Sequence, residues 1–276
     1  MTLIGIMQGR LSPPAEGKIQ SFPKLSWREE FHRAPRAGIS HIEWIYEADE
    51  VEKNPLSTSN GVLSIVDVVR ESGTQVISVC ADYFMDVPYL QASAGAKKEL
   101  SERLEWLVAR TNEIGGRYID LPFVDASAIK NSDQFPALKE FVSPALTRAA
   151  AVGVTIALET SLNPGNFKEL LLFVGHPNLM ANYDSGNSAS LGYDCEEELS
   201  TYGAWIRTVH IKDRELGGST VPLGTGNASF PVLFQKLHGI GYSGPFVLQA
   251  AREGDEIKTA EKNVAFVRHF LQGGPN

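Results

Sequence analysis

The sequence predicts an α/β fold, a closed (β/α)8 TIM barrel formed as a single domain over residues 1–276. Three observations predict it. Short apolar runs alternate with longer amphipathic ones along the whole chain, and such alternation implies parallel strands with both faces covered by helices. The 276 residues match the size of one large barrel. No Pro-, Gly- or Ser-rich linker or shift in composition divides the chain.

The strand-like runs are LIGIM (3–7), ISHIEWI (39–45), VISVCA (76–81), RYIDLP (117–122), VTIALE (154–159), LMANYD (179–184), IRTVHI (206–211) and PFVLQA (245–250). Helical periodicity lies between them. Leu100, Leu104, Leu107, Val108 and Ile114 share one stripe that stops at Gly115-Gly116. Ala260, Val264, Val267 and Leu271 repeat the pattern before Gly273-Gly274. The rival architecture, an open doubly wound sheet, needs a Gly-rich phosphate turn. Only LGTGNASF (223–230) offers one, with two glycines rather than three and a polar loop before it. It reads better as a turn into a helix capped by Asn227 or Ser229.

Composition narrows the function. The formal net charge is −8 and Lys and Arg form no basic run, which argues against a nucleic-acid surface. No apolar run approaches the roughly 18–20 residues that span a bilayer, and MTLIGIMQGR lacks the basic start of a signal peptide. Two distant cysteines, Cys80 and Cys195, without metal-type spacing point to a reducing, cytoplasmic setting. The oligomeric state stays open, a homo-oligomer included.

Strand parity locates the chemistry. Side chains of a barrel strand alternate between the helix layer and the interior. On the fifth strand Ile156 and Leu158 take the helix side, so Glu159 points inward at the C-terminal rim. The sixth strand puts Asp184 on the parity of Asn182; the seventh puts His210 on that of Thr208 and Lys212; the eighth puts Gln249 on that of Val247. Four successive strands thus send two carboxylates, an imidazole and an amide into one mouth, the end where barrel enzymes keep their active sites. Any one of them alone is an ordinary polar rim residue; together they make an oxygen-rich site for a divalent cation.

The chain resembles the xylose-isomerase-like TIM barrel superfamily of sugar and sugar-phosphate isomerases and epimerases. The resemblance runs from GIMQGRL to the final helix and is carried by IALET, NYDSGN, VHIKDR, the PLGTGN loop and GYSGPFVLQ. It implies one divalent metal ion, most often Mn2+, with Mg2+, Co2+ or Zn2+ as alternatives, held by Glu159, Asp184 and His210. The fourth family ligand is a glutamate where this chain has Gln249, and Asn187 stands where many members carry a histidine. The resemblance further implies a small sugar or sugar phosphate as substrate and proton abstraction through a metal-stabilised enediolate, with Glu159 as the base. Gln249 carries no proton, which moves the expectation toward one-base isomerisation and away from two-base epimerisation. Dehydration of a keto-polyol and a non-catalytic sugar-binding barrel remain as alternatives.

Substrate contacts are expected from Arg214, as the family often uses that position, and from Lys212, which shares His210's parity. Asn187 and Glu43 are further candidates. Arg10 and Arg252, just beyond strand ends, have the planar fork that suits a phosphate or carboxylate, although solvated rim arginines look the same in sequence. Asp213 reads equally as a substrate contact or a partner of Arg214, Trp44 and Phe84 as walls of a sugar pocket or as core, and Cys80 better as a buried inert thiol than as a pocket residue. A related three-zinc DNA-repair branch of the fold needs several clustered histidines, whereas this chain places one well.

Overall fold

Each of the eight apolar runs becomes a strand in the structure, a computed structural model that describes residues 3–273. The strands are β1 (Ile4–Met7), β2 (His41–Ile45), β3 (Gln75–Cys80), β4 (Tyr118–Phe123), β5 (Thr155–Thr160), β6 (Leu179–Asp184), β7 (Ile206–Ile211) and β8 (Phe246–Leu248). All neighbours pair in parallel, and β1 closes the barrel by pairing with both β2 and β8. The predicted barrel is the observed fold. Among the described residues no helix is long and apolar enough to cross a membrane.

Helices cover the barrel: α1 (Trp27–Arg33), α2 (Ser59–Ser72), the single turn α3 (Tyr83–Asp86), α4 (Ala94–Glu113), α5 (Phe135–Val152), α6 (Pro164–Val174), α7 (Ser185–Leu191), α8 (Cys195–Tyr202), α9 (Phe230–Gly239) and α10 (Glu256–Leu271). Local chemistry sets their ends. Thr58, Ser93, Asn163, Asp194 and Asp255 each accept a first-turn backbone N–H at a helix start. The predicted α4 stripe is buried throughout. That of α10 is buried at Ala260, Val264 and Val267, while Leu271 is exposed at the helix end, and Gly274 lies outside the described residues.

Two local expectations shift. β8 ends at Leu248, so Gln249 lies one residue past the strand, although its N–H still bonds Ile211 O at 3.0 Å. Ser229 occupies the start of α9 without a side-chain capping bond, and Asn227 instead accepts the N–H of Leu216. The residues after β7 form a small antiparallel ribbon, Asp213–Arg214 against Thr220–Val221.

The floor of the barrel is filled by a histidine. His41 is 1% exposed, and a Cβ placed on Gly5 would lie 2.0 Å from its Nε2. Glycine at position 5 is therefore a packing requirement. Burial pushes the His41 imidazole down to about 4, against the weaker opposing pull of Glu43.

Gly5→Ala should cost about 1–3 kcal/mol through overpacking, and adding His41→Ala should recover part of the loss. Urea denaturation of both single variants and the double checks this; strictly additive losses would remove the contact. His41 also has a pH signature. Its folded pKa lies below the unfolded value, so its contribution is complete above about pH 6.5 and is lost as pH falls toward 4, by about 3 kcal/mol at most. Relative to a His41→Asn variant, the native protein should lose stability over that window. Parallel pH profiles would show that His41 does not titrate on unfolding.

Candidate metal centre and substrate mouth

The inward parity of β5, β6 and β7 brings three donors together at the C-terminal end of the barrel. His210 Nδ1 lies 3.3 Å from Glu159 Oε2 and 3.8 Å from Asp184 Oδ2. His210 is completely buried, and Glu159 and Asp184 nearly so. Asp184 serves two purposes. Its Oδ1 caps α7 by accepting the N–H groups of Gly186 (2.9 Å) and Asn187 (2.7 Å), which leaves Oδ2 directed at the centre. Glu159 is held by two amides, Asn182 at 2.8 Å and Asn187 at 2.5 Å.

Across the barrel, Glu43 Oε1 on β2 lies 2.7 Å from His210 Nε2. Glu43 is placed to accept the Nε2 proton, and Nδ1 faces Glu159 and Asp184 with the Asn182 amide 3.1 Å away. A carboxylate behind the ring fixes tautomer and orientation in this way at many metal sites. Asp120 on β4 comes within 3.9 Å of His210 Nε2. Asp120, Glu159 and His210 each also offer a ligand atom within 4.8 Å of the other two.

Asp120 was not singled out from the sequence. Its signal was the alternation of Tyr118, Asp120 and Pro122 with Ile119, Leu121 and Phe123.

Electrostatics follow from the crowding. Burial, then repulsion from Glu159, pushes Asp120 well above the carboxylate range, and burial raises Asp184 against the pull of Lys212. Burial would also raise Glu159, but the His210 bond and charge, with Lys212, hold it lower. Burial would lower His210, yet Glu43 and Glu159 outweigh it and keep the ring well above its ordinary value. Glu43 Oε2, Asp120 Oδ1 and Asn182 Oδ1 are buried without a partner among the described residues. The carboxylates of Asp120 and Glu159 and the imidazole of His210, with ligand atoms within 4.8 Å of one another and beside these unsatisfied oxygens, fit a divalent cation.

The other expected residues take distinct places. Lys212 Nζ lies 3.5 Å from Asp184 Oδ2 and 3.2 Å from both Asn187 Oδ1 and Gln249 Oε1. Gly186 lets it lie there, because a Cβ at 186 would meet Lys212 Cγ at 2.6 Å. Gln249 accepts from Lys212 and donates through Nε2 to Gln20 Oε1 at 2.8 Å. Arg214 reaches Asn187 Oδ1 at 2.9 Å and clamps Gly218 O with Nε and Nη2. Asp213 does not turn to Arg214; it is buried and accepts the N–H groups of Gly224, Gly226 and Ala228, which shapes the 223–228 loop.

Arg10 and Arg252 are spent on backbone. Arg10 donates to Ile19 O, and Arg252 to Ile19 O, Ser12 O and Gly9 O. Trp44 and Phe84 belong to the core, and the Cys80 thiol points at Asp82 and Asp120.

A family model described as xylose isomerase-like TIM barrel matches residues 31–270. The chain is 24% identical over 254 residues to L-ribulose-5-phosphate 3-epimerase of Salmonella paratyphi A, covering 89% of each chain. Its fold is similar to that of an L-ribulose 3-epimerase, with a TM-score of 0.77, 19% identity and coverage of 99% of this chain and 96% of that one. It is also similar to a xylose isomerase-like TIM barrel protein of Mycobacterium smegmatis in complex with magnesium, with a TM-score of 0.72, 15% identity and coverage of 98% and 97%.

Glu43→Gln should lower divalent-metal affinity about 10- to 100-fold while the circular dichroism spectrum stays that of the native fold. Competition against a chromophoric chelator measures this. Native affinity in the variant would mean that Glu43 does not orient His210.

Proposed function

The chain belongs to the xylose isomerase-like TIM barrel family, and we propose that it is a divalent-metal-dependent sugar epimerase or isomerase that moves a proton at the carbon beside a ketose carbonyl. The observation that carries this reading is the convergence at the barrel mouth of Glu159 Oε2 and Asp184 Oδ2 on His210 Nδ1, at 3.3 and 3.8 Å. These three residues would hold the ion, with Gln249 as the neutral fourth position and Mn2+ as the first choice of metal. The bound ion supplies Lewis acidity to the substrate's carbonyl and adjacent hydroxyl oxygens.

The chain's own groups do the rest. Glu159, kept ionised by His210 and Lys212, removes the proton from carbon. Lys212 and Arg214, joined through Asn187 Oδ1, face the substrate's oxygens. Asn187 holds Glu159 in place. Gln249 carries no transferable proton, and Glu43 and Asp213 are committed to His210 and to the 223–228 loop. The similarity to an L-ribulose-5-phosphate 3-epimerase favours epimerisation over one-base isomerisation. Product stereochemistry in D2O separates the two, because epimerisation inverts the labelled carbon.

Two results test the reading. Glu159→Gln, loaded with manganese, should lose deuterium wash-in from solvent into a ketose by about 100-fold or more. A near-native rate would place the base elsewhere. Gln249→Glu should tighten metal binding by adding a charged oxygen beside a divalent ion, read as a lower dissociation constant in the same buffer. Unchanged affinity would put Gln249 outside the ion's coordination.

A further inference from the structure

The ligand strands β5–β7 occupy one side of the mouth. On the other, the loops after β1, β2 and β3 enclose a cavity of about 570 Å³. Its polar lining is Lys18, Gln20, Glu47, Asp49, Asp82 and Asp86. Gln20 joins it to the centre: it accepts from Gln249 Nε2 at 2.8 Å and donates to Asp82 Oδ2 at 2.8 Å. Gln20 thus stands between Gln249 at the centre and Asp82 in the cavity.

We propose that this cavity receives the tail of the substrate, and that its lining selects an unphosphorylated polyol chain over a sugar phosphate. The inference rests on the reading above and names the substrate class for that same site.

The chemistry is one-sided. Four carboxylates line the cavity with one lysine, Lys18, and among the described residues only Asp49 of the four is ion-paired, to Lys18 at 3.1 Å and Lys24 at 3.5 Å. A phosphate monoester carries −1.5 to −2 charges at pH 7 and only acceptor oxygens towards its surroundings. It would meet like charge and find few donors. Hydroxyl groups, by contrast, donate to carboxylates and carry no charge. Asp82 is 7% exposed, its carboxyl pushed up to about 6 by burial, and it accepts the Gln20 amide.

The arginines whose planar forks would suit a phosphate are engaged elsewhere. Arg252 donates to three backbone carbonyls, and Arg10 shares Ile19 O with it.

The test uses the full-length manganese-loaded protein in D2O and follows deuterium wash-in by proton NMR. Four probes are compared: a free ketopentose, a free ketohexose, and the terminal phosphate ester of each. The free sugars should exceed their phosphates by about 100-fold or more in kcat/KM, as like-charge apposition in a binding site demands. Asp86→Lys, at the exposed rim, should narrow that ratio by about tenfold by placing a cation in the cavity.

Equal or faster turnover of the phosphates overturns the inference and leaves the epimerase reading standing. A ratio unchanged in Asp86→Lys also overturns it, because the tail then lies elsewhere. Exchange with none of the four probes by metal-loaded protein overturns the proposed function, and this inference falls with it.

Discussion

Four carboxylates, Glu43, Asp120, Glu159 and Asp184, are buried around a single imidazole at the head of the barrel. Charges removed from water need partners, and the cost of leaving them unpaired rises steeply as the dielectric falls. Among the described residues the ammonium that faces them is Lys212, 3.5 Å from Asp184 Oδ2. The rest of the mouth is arranged around that imbalance: amides turn their N–H groups toward Glu159, α7 begins where its free N–H groups can hold Asp184, and the β2 carboxylate reaches across to His210. A divalent ion among these donors would offset their charge and supply the electron-withdrawing charge that the proposed proton abstraction beside a carbonyl requires.

Barrel geometry makes this crowding achievable. Glu43 and His210 are 167 residues apart in sequence and meet at 2.7 Å because both strands turn the same parity inward. The floor below is set by His41 over Gly5, so the polar layer rests on a packed, neutral one. Deep anchoring also fixes the loops above. Glu30, fully buried, accepts N–H groups from Gly9 and Leu11 and the hydroxyl of Ser12, while Glu47 accepts Ser21 Oγ and Phe22 N at 2.8 Å each. The loop after β1 is thereby held at both ends, and Gln20 sits between those anchors.

Much of this was legible in the sequence, for a definite reason. Strand parity is local, so IALE, NYD and VHI each declare an inward Glu159, Asp184 and His210 without reference to any other strand. What remained hidden depends on partners distant in sequence. Asp120 obeys the same parity but has few polar neighbours along its strand to draw attention. Gln20 lies in a loop with no period, and nothing local announces that its amide will bridge Gln249 and Asp82. Arg10 and Arg252 read as open forks because the carbonyls that occupy them belong to a loop whose course the sequence does not state. Asp213 looked like half of an ion pair; its three backbone partners exist only once the 223–228 loop has folded over it.

The replacement at position 249 changes the electrostatics of the mouth as well as its proton inventory. A glutamate there would face Lys212 across 3.2 Å and draw the ammonium away from Asp184. The amide is weaker as an acceptor and also donates, so it joins Lys212 on one side to Gln20 on the other. From Gln20 the connection continues to Asp82 and the Cys80 thiol, which returns to Asp120 beside His210. A carboxylate at 249 would have no N–H for Gln20 Oε1 and would break that circuit at one point. The glutamine therefore links the candidate metal centre, through Lys212, to the acidic cavity over β1–β3, through Gln20 and Asp82.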